Sequence, residues 1–173
     1  PLLSGPRHFD ADSALKALEE EAPDLVISDV VMPGKNGYEL CEAIKGSLQL
    51  SHIPVILVTA KVAVESQVQG LDKGADAYVT NPFNPSYLLA LVKSLLENRD
   101  KLRRQLGSVT STEDIEPEAL SPRDNAFMKE LYSLMDKELA NQELDINRIT
   151  EMMRISRTKF YYKVKGLTGE NPG

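Results

Sequence analysis

Apolar and polar positions along the first hundred residues alternate between two rhythms. Ala11, Leu15, Leu18 and Ala22 recur at helical spacing, and Pro23 closes that stretch. Leu25, Val26 and Ile27 are then apolar on successive positions, followed by Ser28, as expected of a strand covered on both faces, and Asp29 stands at its end. A Pro/Gly/Asn loop at residues 32–37 leads into a helix with Leu40, Cys41, Ile44 and Leu48 on one side. A second apolar run, residues 54–58, ends at Thr59. Val64, Val68 and Leu71 predict another helix stopped at Gly74, before a short strand at residues 75–79. Asn84 and Pro85 form an N-cap and first helical residue, opening a helix that turns Leu88, Leu91, Val92, Leu95 and Leu102 toward the core. Strands alternating with helices in this way predict an α/β unit with a parallel, doubly wound sheet.

The rhythm then stops. Residues 107–121 are polar, acidic and without periodicity, and read as a linker. Ser121 and Pro122 start a helix in which Phe127, Leu131, Leu134, Met135 and Leu139 keep helical spacing. Two shorter helices follow, residues 146–153 capped by Asp145 and residues 157–165 capped by Ser156, with only Arg154 and Ile155 ahead of the second cap. The expected organisation is therefore residues 1–106, a linker at 107–121, and a small all-α segment at 122–173.

Composition changes this picture little, and charge changes it more. The chain has 173 residues, 42% hydrophobic and 27% charged, enough for a real core. It has neither an apolar run long enough to span a membrane nor a signal-peptide pattern, so no membrane contact and a cytoplasmic location are expected. The lone cysteine, Cys41, falls in an apolar pattern and reads as a buried thiol. The net charge of −6 is unevenly spread: residues 107–153 hold 11 acidic against 4 basic groups. Residues 154–165, RISRTKFYYKVK, hold five basic groups and no acid beside three aromatic residues, a candidate nucleic-acid face.

In a doubly wound sheet functional groups collect at the carboxyl ends of strands, where Asp29, Thr59 and Asn81 are expected. A carboxylate there can act as a nucleophile toward phosphorus if the incoming negative charge is met by a cation or ordered donors. Taken alone, an Asp after an apolar strand is more often a turn or cap residue. Three runs decide otherwise: PDLVISDVVMPGKNGYEL, HIPVILVTA and GADAYVTNPF, in that order and spacing, resemble the response-regulator receiver domain over residues 10 to about 100. The resemblance implies a flavodoxin-like fold with Asp29 as phosphoacceptor, Thr59 as the switch hydroxyl and Tyr78 as the aromatic that follows it. It also implies a Mg2+ ion held by Asp29 and the backbone carbonyl of Val31, and a histidine kinase phosphodonor domain as partner.

Two departures from the family pattern bear on the chemistry. Asn81 stands where the family has a lysine, and it can donate a hydrogen bond but cannot neutralise charge. The family's first strand, with the acidic pair that holds the metal, has no counterpart, which leaves a divalent ion few protein oxygens. Loss of that central strand leaves residues 25–28 with an unpaired edge, so either the natural chain extends further or a second chain covers it.

The run LDINRITEMMRISRTKFYYKVKGLTGENP resembles the first helix-turn-helix of the AraC-type DNA-binding domain. On that match Arg157, Thr158, Lys159, Tyr161 and Tyr162 are candidates for promoter DNA contact, with Lys163 and Lys165 as phosphate contacts. Arg154 departs from a common glycine and Tyr162 from a common arginine. The family uses two such motifs and only the first is present, so binding by this length of chain is expected to be weak. The order receiver, linker, AraC-type motif resembles the output end of hybrid sensor histidine kinases, whose parent chain can be an inner-membrane sensor. It implies phosphorelay control of transcription by a homodimer. A pseudo-receiver that dimerises without phosphorylation is the rival. His8 and His52 lie far apart in sequence, and with no other catalytic constellation the chain itself is not expected to be an enzyme.

Overall fold

Strand β2 (Val55–Thr59) lies between β1 (Val26–Asp29) and β3 (Ala77–Thr80) in a parallel sheet of order β1-β2-β3. Val26 is registered with Val55 and Asp29 with Val58, while Ile56 faces Ala77 and Thr59 faces Thr80. Successive side chains leave a strand on opposite faces. Val55 and Leu57 therefore enter one apolar layer and Ile56 and Val58 the other. The first layer is completed by α1 (Ala11–Glu20) and α2 (Gly37–Gly46), through Ala11, Leu18, Leu40, Cys41 and Ile44. The second is completed by α3 (Pro85–Gly107), through Leu88, Leu91, Val92 and Leu95. Val55, Ile56 and Leu57 are wholly buried, as the unbroken apolar run predicts.

This computed structural model describes residues 5–60, 68, 70, 72–108, 120–138 and 144–172. Two compact units divide between Asn98 and Arg99. Val64 and Leu71 of the expected helix, residues 109–119 of the expected linker, and Leu139 lie outside the described residues.

Polar side chains fix the ends of the elements in the first unit. Asp10 accepts from the Ser13 amide at the start of α1, and Asn36 and Glu39 form a reciprocal capping box on α2. Asn84 Oδ1 accepts from Ser86 N at 2.8 Å, as its cap position predicts. α2 ends at Gly46 with Ser47 as C-cap, so Leu48 falls beyond the helix. β3 begins two residues later than expected because Asp76 serves as a clamp. Its carboxylate accepts from Val55 N at 2.7 Å and pairs with Lys45 Nζ at 2.8 Å. Among the described strands β1 has a single partner, and Ile27 on it is 39% exposed. The open edge is where the sequence pattern puts it.

In the second unit α4 (Pro122–Glu138), α5 (Ile146–Met152) and α6 (Arg157–Thr168) surround Phe127, Met128, Leu131, Met153, Phe160 and Leu167. Ser121 Oγ, Asp145 and Ser156 accept from the Asp124, Arg148 and Lys159 amides respectively. α6 runs to Thr168, past the expected end at residue 165, and Gly169 terminates it in the left-handed conformation at φ 77°. Phe127 and Phe160 meet with ring centroids 6.2 Å apart.

One sequence expectation is overturned in this unit. Lys163, taken above as a phosphate contact, is 0% exposed and ion-paired with Asp124, itself only 3% exposed. The pair ties α6 to α4, and its ammonium faces the interior. Sequence spacing alone did not separate this lysine from its neighbours, because its partner lies 39 residues away. Removing one member strands a buried charge. Asp124→Ala is therefore expected to cost about 3–5 kcal/mol, whereas the double replacement Asp124→Leu with Lys163→Met approaches the parent stability, both read by chemical denaturation.

Candidate functional site

The parallel register brings the carboxyl ends of all three strands to one rim. Asp29 ends β1 with its side chain exposed, and its Oδ1 accepts from Val31 N at 2.9 Å. Val30 N donates to Val58 O at 2.9 Å, which continues the β1–β2 ladder one residue past Asp29. Thr59 ends β2 and is buried. Asn81 N donates to Thr59 O at 2.6 Å, so Asn81 takes the next row after Thr80, with its side chain exposed. Asp29, Thr59 and Asn81 are thus gathered at one edge, with neighbouring strands about 4.8 Å apart. Val31 is 69% exposed in the loop that leaves Asp29.

Two glycines make this arrangement possible, and the sequence reading passed over both. Gly37 opens α2 against the backbone of Asp29: a Cβ there would lie 2.3 Å from the Asp29 carbonyl oxygen. Gly37 N donates to Val30 O at 2.9 Å, so the start of α2 is docked on the loop that carries Asp29. Gly70 plays the same part for Tyr78, whose ring would lie 2.8 Å from a Cβ at that position. The tight turn implied by Pro-Gly-Lys-Asn-Gly was a usable signal for Gly37.

Tyr78 is turned into the layer formed by α1 and α2. Its hydroxyl lies 3.2 Å from that of Tyr38. Burial, then the hydrogen bond and charge of Tyr38, push its phenol up to about 12, against a lowering effect of the hydrogen bond from Thr59. Cys41 is buried, as expected, and burial raises its thiol to about 11, so it is not a ready thiolate.

No group of three or more His, Cys, Asp or Glu side chains suited to a metal occurs among the described residues. Among the described residues a divalent cation at this rim would find the Asp29 carboxylate and backbone carbonyls such as that of Val31. The described residues do not by themselves build a magnesium site.

In the second unit, Arg157, Thr158 and Lys159 are exposed on the first turn of α6, as are Tyr162 and Lys165 further along, while Tyr161 is half-buried. The Arg157 guanidinium sits 5.7 Å from the Tyr161 ring centroid and donates to Asn147 Oδ1 at 3.4 Å. Arg154, in the turn between α5 and α6, takes φ 54°, a conformation that glycine adopts without strain.

A parallel sheet with an acidic strand end, a buried threonine beside it and helices on both faces is a receiver fold. Residues 7–93 match the response regulator receiver domain family. Histidine kinase P4 of Formosa agariphila is 34% identical over 159 residues, covering 92% of this chain and 12% of that protein. The phosphate regulon transcriptional regulatory protein PhoB of Klebsiella pneumoniae is 36% identical over 112 residues, 65% of this chain and 46% of that protein. The chain thus spans well under two thirds of either relative. A response-regulator crystal structure from Chloroflexus aurantiacus J-10-fl superposes with TM-score 0.51 at 31% identity, over 53% of this chain and 75% of that one. The chain belongs to the response regulator receiver family, whose members work with histidine kinases in two-component signalling. No helix among the described residues is long and apolar enough to cross a membrane.

The contact between Gly37 and Asp29 generates a direct expectation. Gly37→Ala forces α2 away from the loop after Asp29, which costs about 1–3 kcal/mol in chemical denaturation. It also moves the amide resonances of Val30 and Val31, while an alanine at the exposed Gly46 leaves them in place.

Proposed function

We propose that this chain is the receiver and AraC-type output part of a hybrid sensor histidine kinase, and that Asp29 accepts the phosphoryl group. The observation that carries the reading is the match to a histidine kinase over 92% of this chain, which includes the helical half as well as the receiver half. The proposed arrangement is a receiver at residues 1–106, a linker at 107–121 and the first half of the DNA-binding domain at 122–173.

The chemistry follows from the rim. An Asp29 carboxylate oxygen attacks the phosphorus of a phosphohistidine, forming a P–O bond as the P–N bond breaks, and the departing imidazole takes up a proton. Val31 N already donates to Oδ1, which leaves the other oxygen, Oδ2, for attack. The Thr59 hydroxyl, beside it on the next strand, donates to the new phosphoryl oxygens, and Tyr78 follows Thr59. Asn81 offers a donor where the family has a full positive charge. A magnesium ion, expected for the family, would have Asp29 and the Val31 carbonyl as its ligands among the described residues, and when bound it would supply the positive charge that Asn81 lacks. In the output half, α5 supports α6 so that Arg157, Thr158, Lys159, Tyr161 and Tyr162 reach base edges and Lys165 a phosphate of promoter DNA, with a homodimer reading two half-sites. Lys163 is dropped from that set, because it is buried.

Asn81 is also the observation that favours the second reading, a pseudo-receiver that dimerises without phosphorylation. Incubation of the full-length protein with acetyl phosphate and Mg2+ separates the two. One phosphoryl group gained in intact mass, and none in Asp29→Asn, supports the first reading; no gain in the parent protein supports the second. In DNA-binding titrations of the full-length protein, Lys165→Ala lowers the salt slope of log K by about 1. An unchanged slope would remove Lys165 from the interface.

A further inference from the structure

Tyr38 has no part in the function proposed above, yet it meets Tyr78, the aromatic side chain proposed to follow Thr59. It is the second residue of α2, directly after the glycine docked on the backbone of Asp29. Its side chain is buried, and its hydroxyl lies 3.2 Å from that of Tyr78, either one able to donate. Gly70 closes the same seat from another side: a Cβ there would fall 2.8 Å from Tyr78 Cδ2 and 3.3 Å from Tyr38 Cε1. Thr59 also hydrogen-bonds Tyr78. The three hydroxyls therefore form a chain from the strand end beside Asp29 to the helix start that rests on it.

We infer that Tyr38 is a positioning residue, a latch whose hydroxyl holds Tyr78 in its inward seat when Thr59 turns away toward a phosphoryl group. The inference rests on the reading of Thr59 and Tyr78 as the moving pair. A phenol left inside an apolar layer without a partner is costly, so an aromatic bonded to Thr59 alone would be released when that bond breaks. Tyr38 removes that penalty by keeping one hydrogen bond throughout. It also links the seat of Tyr78 to the Asp29 loop, because Tyr38 and Gly37 are consecutive on the same rigid helix start. Movement of the loop shifts the latch directly.

The test places fluorotyrosine at position 78 of the full-length protein and reads its fluorine NMR signal, with Tyr38→Phe as the main variant. Phenylalanine keeps the ring and its packing and deletes only the hydroxyl. The parent protein gives one dominant buried signal. In Tyr38→Phe the ratio of solvent-exposed to buried signal rises about two- to tenfold, the worth of one net hydrogen bond, and the thermal midpoint falls by only a few degrees. Gly70→Ala, which crowds the same seat, moves the signal outward in any case. A Tyr38→Phe spectrum identical to the parent, while Gly70→Ala shows that the probe senses the seat, would overturn the latch. Acetyl phosphate with Mg2+, read on the same samples by intact mass, keeps the two readings apart. A latch present with Asp29 unmodified defeats phosphoacceptance and leaves the latch standing.

Discussion

The pairing of β2 on both edges, with β2 buried on both faces, is the constraint on which the rest of the first unit depends. Val55, Ile56 and Leu57 have no accessible surface, so any slip of one residue would exchange the two apolar layers and turn every side chain to the wrong face. That fixed register is what lines up Asp29, Thr59 and Asn81 at a single rim. The Asp76 clamp sets where β3 begins, and so which residue of the third strand arrives beside Thr59. Function at the rim is in this sense a consequence of packing in the middle.

A second constraint is the absence of side chains where backbone must approach backbone or ring. Gly37 lets α2 rest on the carbonyl of Asp29, and Gly70 lets Tyr78 sink against Tyr38. The first joins consecutive elements, β1 and α2, and the second brings Tyr78 against Tyr38, 40 residues away in sequence. They make the loop after Asp29, the start of α2 and the ring of Tyr78 one connected assembly rather than three independent parts. The helical unit uses a different device, the buried pair of Lys163 and Asp124, to hold α6 against α4. That pair leaves Arg157, Thr158, Lys159, Tyr162 and Lys165 as the outward side chains of α6 from the predicted set.

Local features were legible in the sequence and long-range ones were not. The strand cores, the helix starting at Pro85 and the caps at Asn84, Asp145 and Ser156 follow from apolar runs and short-range hydrogen bonding, and the structure shows them where the pattern does. The open edge of β1 followed from the missing neighbour in the strand order. Asp76 was misread as part of a strand because its role depends on Lys45 and Val55, which are far away in sequence. Lys163 was misread because a basic run on a helix looks uniform until the opposing helix supplies Asp124. Tyr38 was missed for the same reason: nothing at its own position in the chain indicates the ring it meets.

In the function proposed for this chain, the strand register selects Asp29, among the many carboxylates of this acidic chain, as the one that takes the phosphoryl group. Borohydride reduction converts an acyl phosphate to an alcohol, so an aspartate that carried the group becomes homoserine in the peptide map. After treatment of the full-length protein with acetyl phosphate and Mg2+, homoserine is expected at position 29 alone within this chain. Homoserine at Asp24, Asp76 or any other aspartate instead of 29, or the corresponding alcohol of a glutamate, would contradict that assignment.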